Sequence, residues 1–321
     1  MDFEQESRSD WRDEFALSSE IREVGGQSRH YRAASAGDLW RVARGAYLPR
    51  LPESDDERYL AQIRGRSLVT RNSPIFSHYS AARLWHLPIL GPWPNEVHVE
   101  VGVSRNGRSI PGLIRHRSAG EWSTELRAGL RVTSLARTVV DVAAASSLRA
   151  AIVIVDAALS GEKNRGGEWV RLPISKTELG NEIETRGAIR GSRQLGWALG
   201  FGDGLSGSPG ESVSRLTMHQ IGCPPPELQH TFRDRNGGFV ATTDFWWPDY
   251  SLTGEFDGRA KYLREEFTRG RSPAQVVIDE KVREDSLRAL GPGMSRWVWE
   301  EALSARALRL KLTRAGLPCL K

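Results

Sequence analysis

The sequence predicts an α/β multi-domain protein whose first half is of the α+β type. Helix-like and strand-like patterns alternate along most of the 321 residues, and a chain of this length usually folds as more than one domain. A glycine-rich stretch at 200–210 has the composition of a linker. Hydrophobic residues make up 39% of the chain and charged residues 26%, which is typical of a globular protein.

Composition argues against several classes of protein. No apolar run reaches the about 20 residues of a membrane-spanning helix, and the acidic first residues lack the basic and apolar regions of an export signal. Two cysteines, Cys223 and Cys319, are too few for a disulfide scaffold or a zinc ribbon. We therefore expect a cytoplasmic protein without a membrane partner.

Positive charge is concentrated in the first half of the chain. The net charge is +5, from 45 lysines and arginines against 40 acidic residues. Residues 21–50 and 61–150 carry the excess, nearly all of it as arginine, whereas 208–321 is close to neutral. Because the guanidinium fork matches phosphate groups and guanine edges, this distribution favours DNA as a partner of the first half.

The first block, residues 15–52, has the parts of a winged helix-turn-helix. Gly25-Gly26 separates two short predicted helices, and Arg44-Gly45 is the turn of a predicted hairpin. In that design the second helix enters the major groove and the hairpin, or wing, lies on the DNA backbone. The predicted DNA-binding residues on these two elements are Arg29, Arg32, Arg41 and Arg44.

The next block, residues 53–160, is predicted to be a mixed α/β domain. Helices are expected at 77–87, 135–145 and 148–159, and strands at 96–101 and 113–117. Residues 1–14 are expected to be an acidic flexible leader, and residues 161–205 a linker with a helix in 176–200.

The last domain, residues 206–321, has an αβββαβα order of predicted elements. Ser208 and Pro209 are favourable residues at the start of a helix, and Asn236-Gly237 predicts a tight hairpin between strands at 229–233 and 239–245. A strand, a helix, a strand and a closing helix follow at 252–257, 279–290, 296–299 and 300–315. This order predicts a mixed sheet flanked by helices.

Three acidic residues of this domain are expected to lie close together. Glu255 and Asp257 are two apart on one predicted strand, so their side chains share a face. Asp244 lies on the preceding strand, about 4.8 Å away. Crowded carboxylates repel each other unless a cation compensates, and Mg²⁺ prefers carboxylate oxygens. We therefore predict a site for Mg²⁺ or Mn²⁺ that serves phosphodiester hydrolysis; the alternative is three solvated acids at strand ends.

A series of motifs in this domain resembles a known family. Asp244, Glu255-Phe256-Asp257-Gly258, the stretch 280–285 and Trp297-Val298-Trp299 follow one another in the chain. The series is similar to the PD-(D/E)XK nuclease-like superfamily, and within it to the very-short-patch-repair endonucleases. The likeness covers roughly 208–310 and implies a restriction-endonuclease-like domain.

The resemblance also implies roles for single residues. Asp244 and Glu255 would bind the metal ion with help from Asp257, and Glu211 would orient the metal-bound water. The superfamily's lysine, two residues after the glutamate, is replaced here by Asp257. Lys261 or Lys281 is therefore expected to supply the missing positive charge.

The first half has a likeness of its own. It rests on the stretches 26–49, 77–84 and 132–141, and these resemble AbiEi-type antitoxins, a family of transcriptional regulators. The likeness covers about 15–160. It implies a winged helix-turn-helix that binds operator DNA, and it raises a cognate toxin as a second partner.

These patterns leave three interpretations open. The first is a DNA-binding protein with a metal-dependent, endonuclease-like last domain. The second is a transcriptional regulator or antitoxin whose last domain binds DNA or a partner without cleaving. The third is a protein-interaction module, which would show no salt-dependent DNA binding. Four of the seven histidines lack tight ligand spacing and are expected to be ordinary core or surface residues: His78, His86, His98 and His116.

Overall fold

The computed structural model describes residues 10–18, 39–70, 73–102, 109–118, 123–187, 190–258 and 273–320. The chain divides into two compact units, one ending at Gly200 and the other beginning at Phe201. Both units mix helices and strands, as the predicted α/β class requires. None of the helices in the described ranges is long and apolar enough to cross a membrane.

The first unit begins with a small sheet. Its elements are α1 (Asp10–Asp13), β1 (Ala16–Leu17), β2 (Trp40–Ala43), β3 (Ala46–Leu48) and α2 (Asp55–Val69). The strand order is β1-β3-β2, and Gly45, at φ 95°, makes the turn between β2 and β3. The predicted hairpin is therefore confirmed. The two predicted helices that precede it, which carry Arg29 and Arg32, lie outside the described residues.

Helix α2 was not predicted, although its start has a clear signal. The Ser54 hydroxyl accepts a hydrogen bond from the Glu57 amide at 3.2 Å, and three acidic residues occupy the first turn, where the helix dipole favours them. Tyr59 and Ile63 are buried and, being four residues apart, lie on the same face of the helix. Gly65 lies so close to Val42 that a Cβ would be 2.7 Å from the valine side chain, so glycine permits this packing.

A five-stranded sheet follows in the same unit. Its elements are β4 (Ile75–Phe76), α3 (His78–Leu84), β5 (Val97–Gly102), β6 (Leu113–Ser118), β7 (Thr124–Arg127), β8 (Leu130–Thr133), α4 (Leu135–Ala145) and α5 (Leu148–Ser160). The strand order is β6-β5-β4-β8-β7, with β5–β6 and β4–β8 parallel. The predicted helices and strands are present, whereas β4 and the β7–β8 hairpin were missed. Val139 and Ile152 are among the fully buried residues of α4 and α5.

The segment expected to be a linker is largely folded. It contains β9 (Glu162–Lys163), β10 (Trp169–Arg171), α6 (Lys176–Arg186) and α7 (Ser192–Phe201). Gly187, at φ 65°, ends α6, so the single helix expected in 176–200 is two. Leu179 and Leu195 are each 1% exposed, and burial of this extent indicates a packed part of the fold.

The second unit has the predicted order of elements. They are α8 (Pro209–Gln220), β11 (Glu227–Arg233), β12 (Phe239–Trp247), β13 (Leu252–Phe256), α9 (Pro273–Ala289), β14 (Gly293–Trp297), α10 (Trp299–Ala302) and α11 (Ala305–Arg314). The strand order is β11-β12-β13-β14, and only the β13–β14 pair of this sheet is parallel. Ser304 caps α11, which splits the expected closing helix in two.

Helix α8 packs closely on this sheet. A Cβ at Gly210 would overlap the ring of Phe256, and the Trp297 indole N–H donates to the Ser214 hydroxyl at 2.8 Å. Beyond the end of α8, Cys223 forms a disulfide with Cys319, the two Cα atoms being 4.3 Å apart. A cysteine count too low for a scaffold thus still provides one crosslink.

Candidate functional site

Polar residues form a row across the four strands of the second unit's sheet. Gln229 and Asp244 lie between the cross-strand pairs Leu228–Phe245 and His230–Thr243. Glu255 pairs with Arg296 on β14. Asp244 and Glu255 are each one position beyond the last pair of the β12–β13 ladder, Phe245–Gly254. The register therefore brings Asp244 and Glu255 to facing positions, as the sequence predicts.

The Asp244 side chain continues the hydrogen bonding between β12 and β13 where the backbone ladder ends. Its Oδ2 accepts a hydrogen bond from the Phe256 amide at 2.8 Å, and its Oδ1 accepts one from Gln229 Nε2 at 3.4 Å. Gln229 has φ 50°, a conformation that costs a residue other than glycine about 1–3 kcal/mol. This strained residue joins the acids of two elements, since the same Nε2 donates to Glu211 Oε2 at 2.9 Å.

Glu211 is held by the start of its own helix. It is 6% exposed. Its Oε1 accepts from the Ser208 hydroxyl at 2.7 Å, and its Oε2 also accepts from the Gly207 amide at 2.8 Å. Ser208 in turn caps α8 by accepting from the Glu211 amide. Both carboxylate oxygens thus accept hydrogen bonds from residues at the start of α8. In this arrangement Glu211 stabilises the first turn of the helix.

Two arginines enclose the Glu255 carboxylate. Arg283 Nη2, from α9, lies 2.9 Å from both Glu255 oxygens, and Arg296 Nη2 lies 2.9 Å from Oε2. The Glu255 side chain is 12% exposed. Burial raises the pKa of this carboxyl, while the two guanidinium groups act against the rise. Because arginine keeps its charge, these groups supply the positive charge that a cation would otherwise bring.

The other predicted site residues are distributed differently. Asp257 follows β13, is partly exposed, and donates its amide to the Trp297 carbonyl at 2.8 Å. Lys261 lies outside the described residues. In the first unit, Arg41 on β2 and Arg44 in the hairpin turn are both exposed; Arg29 and Arg32 are outside the described residues.

The acids of the second unit do not fit a metal ion in this arrangement. Asp244, Glu255 and Asp257 do not bring three ligand oxygens within 4.8 Å of one another. The oxygens of Asp244 accept hydrogen bonds, and those of Glu255 pair with guanidinium groups. A Mg²⁺ ion would have to displace both arginines. In the described part of the chain, such a close group occurs elsewhere, at His78, Glu100 and Asp141 of the first unit.

Sequence reasoning missed several residues of these sites. Gln229 gives no signal, because its role depends on a local left-handed conformation. Arg296 reaches Glu255 through the parallel pairing of two strands whose paired residues are 41 positions apart in the chain. The histidines at 78, 98 and 116 are also far apart, and only the pairing of β5 with β6 and the packing of α3 bring them together.

Comparisons with known proteins identify relatives without an assigned activity. No protein-family profile matches the chain. Two proteins of Mycobacterium tuberculosis are each 30% identical to it over 190 residues: Uncharacterized protein MT2308 (strain CDC 1551 / Oshkosh) and Uncharacterized protein Rv2248 (strain ATCC 25618 / H37Rv). The match covers 55% of this chain and 65% of each relative. The chain thus spans less than two thirds of their length.

One solved structure is also similar. The crystal structure of RV2827C protein from Mycobacterium tuberculosis aligns with a TM-score of 0.38 and 13% sequence identity, over 63% of this chain and 75% of that chain. A score this low does not establish a common fold.

Proposed function

We propose that this chain is a DNA-binding regulatory protein whose second unit has a nuclease-like sheet but does not cleave DNA. The first unit would bind DNA through a winged helix-turn-helix, and the second would be a restriction-endonuclease-like domain whose acidic site is closed. The single observation that carries the proposal is the pairing of Glu255 with both Arg283 and Arg296.

Displacing the two arginines from Glu255 to admit a metal ion would have a high energetic cost. Removing one partner from a buried ion pair costs about 3–5 kcal/mol, because the remaining charge is left uncompensated. A metal ion entering here would incur that cost for two guanidinium groups, which cannot lose their protons. The sequence also has Asp257 where the superfamily has its lysine. Both features favour binding without hydrolysis.

DNA as the partner is supported by the hairpin of the first unit. Arg41 and Arg44 are exposed on β2 and at its turn, where a wing would meet the phosphate backbone. Their guanidinium groups match phosphate oxygens. A cognate toxin as a second partner remains part of this proposal through the AbiEi-like resemblance alone.

The test is the salt dependence of DNA binding. Each phosphate contact that is lost should reduce the slope of log K against log salt by about 0.9. We expect Arg41→Ala/Arg44→Ala to reduce the slope by about 2 in fluorescence anisotropy with a labelled duplex. Arg306→Ala/Arg309→Ala removes the same charge from exposed positions on α11 and serves as the control. Equal slopes for both double variants would contradict the assignment.

A metal-dependent hydrolase is the second candidate, and one observation favours it. Asp244 and Glu255 face each other where the β12–β13 ladder stops, and Gln229 links Asp244 to Glu211. This candidate requires that DNA or a metal ion separates Glu255 from its two arginines. It is distinguished from the first by nicking of plasmid DNA.

A further inference from the structure

Three histidine rings converge in the first unit. His78 lies at the start of α3, His98 on β5 and His116 on β6. The His78 and His116 rings stack with their centroids 3.5 Å apart, and His98 Nδ1 lies 2.9 Å from His116 Nε2. Only one of these two nitrogens can donate the hydrogen bond when both rings are neutral.

Two buried carboxylates lie against these rings. Glu100 is 5% exposed and pairs with His116 across the parallel β5–β6 ladder, while Asp141, on α4, is 3% exposed. His78 Nδ1 is 3.8 Å from Asp141 Oδ2. One ligand atom each from His78, Glu100 and Asp141 lies within 4.8 Å of the others.

We propose that His78, Glu100 and Asp141 form a binding site for a divalent transition-metal ion of the zinc type. Donor atoms about 2.0–2.2 Å from a tetrahedrally coordinated ion are about 3.3–3.6 Å apart, so atoms that lie within 4.8 Å of one another complete the set if they approach by about 1–1.5 Å at most. This site lies outside the DNA-binding hairpin and the acidic row of the second unit, and it does not depend on the function proposed for either.

The residue types of the group suit metal binding. Imidazole is the commonest metal ligand among side chains, and zinc sites combine histidine nitrogens with carboxylate oxygens.

A second observation points to a ligand in this group. His98 is 6% exposed, and its Nε2 has no hydrogen-bond partner among the described residues. A buried nitrogen left in this state costs about 1–3 kcal/mol. Such atoms call for an explanation; because His98 lies outside the close group of three, the explanation that fits is a water molecule bound beside the ion.

The backbone at His78 adds a third observation. Its φ is 49°, a left-handed conformation that histidine adopts more readily than most residues but that still costs about 1–3 kcal/mol. Strained residues of this kind cluster at ligand sites. The His78 side chain is 12% exposed, so the ring that supplies a ligand also connects the site to solvent.

Two arginines orient the carboxylates. Arg137 Nε is 2.8 Å from Asp141 Oδ2 and its Nη2 is 3.4 Å from Glu100 Oε1, and Arg186 Nη2 is 2.8 Å from Asp141 Oδ1. Ligating carboxylates in metal sites are commonly hydrogen-bonded in this way, and this group differs from the acidic row of the second unit because the His78 imidazole completes three potential ligands within 4.8 Å of one another. Glu182 lies 3.8 Å from the same arginine, Arg137.

The ligand types select the class of metal. Imidazole suits Zn²⁺, Ni²⁺ and Cu²⁺, whereas sites of carboxylate alone suit Mg²⁺ and Ca²⁺. The imidazoles also distinguish this group from the acidic row of the second unit, because a guanidinium group cannot substitute for a metal ion on a neutral nitrogen. We therefore expect Zn²⁺ or Co²⁺ to bind here more tightly than Mg²⁺.

The test is a Co²⁺ titration of the full chain after treatment with a chelator, followed by the visible absorption of protein-bound Co²⁺. The matched variants are His78→Asn and His86→Asn, because both histidines have positive φ, 49° and 55°, and asparagine tolerates that conformation. Wild type and His86→Asn should bind about one ion per chain, and His78→Asn should bind at least tenfold more weakly. Equal Co²⁺ affinity of His78→Asn and wild type would overturn the proposal.

A second measurement requires no variant. Zn²⁺ should raise the Tm of the chelator-treated wild type, because an ion that binds only the folded chain stabilises it, and Mg²⁺ at the same concentration should not. If Zn²⁺ leaves the Tm unchanged, the site does not exist, whatever the folding of the variants.

Discussion

Among individual residues, the pairing of Glu255 with two arginines is the feature on which the proposed function depends. Arg283 comes from α9 and Arg296 from β14, so two elements that are distant in the chain converge on one carboxylate. In the nuclease-like superfamily that the sequence resembles, the corresponding carboxylate is expected to bind a metal ion. Here its charge is compensated from within the protein.

The first prediction tests the strength of this pairing. Arg283→Met should lower the free energy of unfolding by about 1.5–3 kcal/mol, the range for hydrogen bonds to charged groups, because the Glu255 side chain is largely buried. Arg288→Met on the same helix is the control: Arg288 is 61% exposed and pairs with Glu284, and exposed pairs contribute about 0–1 kcal/mol. Urea unfolding measures both; equal effects would contradict the account.

The second prediction concerns pH and the three clustered histidines. Their folded pKa values are about 2 to 4, against 6.5 for the ordinary group. Between about pH 4 and 6.5 the unfolded chain therefore binds more protons, and the free energy of unfolding falls as the pH falls, by about 1.4 kcal/mol per pH unit for each histidine.

Asp141 acts in the opposite direction over part of this range. Burial raises its pKa to about 7, although Arg137 opposes the rise, so its contribution to stability decreases as the pH rises from about 4 to 7. Burial also raises the pKa of Glu182, but two carboxyls against three imidazoles still leave the net effect of acid on this cluster destabilising. His116→Gln should reduce the pH slope measured by urea unfolding by about 1.4 kcal/mol per pH unit. A slope unchanged by that substitution would contradict the assigned pKa values.

Residues were predictable from sequence only where short-range rules place them. Strand alternation and the spacing of neighbouring strands placed Asp244 beside Glu255, and the register of β12 with β13 confirms this position. The arginines of Glu255 and the histidine group depend on long-range packing, which local patterns do not encode. For that reason the sequence indicated a metal ion at Glu255 and gave no sign of its ion pairs with Arg283 and Arg296.

At the scale of elements, the contact between α8 and its sheet positions Glu211. Gly210 lies against the Phe256 ring with no room for a Cβ, so the start of the helix, with Ser208 and Glu211, is fixed to the end of β13. A glycine in a helix normally costs about 1 kcal/mol relative to alanine. The close approach explains why it is retained here.

The third prediction follows from this contact. Gly210→Ala should destabilise the second unit by about 1–3 kcal/mol, as overpacking does in cores. Gly196→Ala is the matched control: this glycine is also helical, in α7, and a Cβ there meets nothing within 4 Å, so alanine should stabilise by up to about 1 kcal/mol. Thermal unfolding should show shifts of opposite sign. A stabilised Gly210→Ala would contradict the packing.

Elements with strong local signals were predicted, and elements without them were missed. Arg44-Gly45 and Asn236-Gly237 mark the turns of two hairpins, and Ser208-Pro209 marks the start of α8. Helix α2 was missed because its apolar residues follow no strong helical period, even though Ser54 and the acids after it form a good cap. Strand β4 has only two residues, too few for a period to be visible.

In the complete chain, the features that support the proposals are divided between the two units. The first unit carries the exposed arginine hairpin and the histidine group, and the second carries the row of acids closed by arginines. The claim that joins them is that this protein binds DNA without cutting it. Cleavage would restore the hydrolase interpretation, whereas a lack of salt-dependent DNA binding would favour the protein-interaction module.

The most direct test is nicking of supercoiled plasmid by the purified full chain with Mn²⁺ or Mg²⁺, beside Asp244→Asn. We expect wild type to produce no more nicked circles than Asp244→Asn at any concentration of either ion, while still retarding the plasmid. Nicking by wild type that depends on Mn²⁺ and disappears in Asp244→Asn would contradict this account.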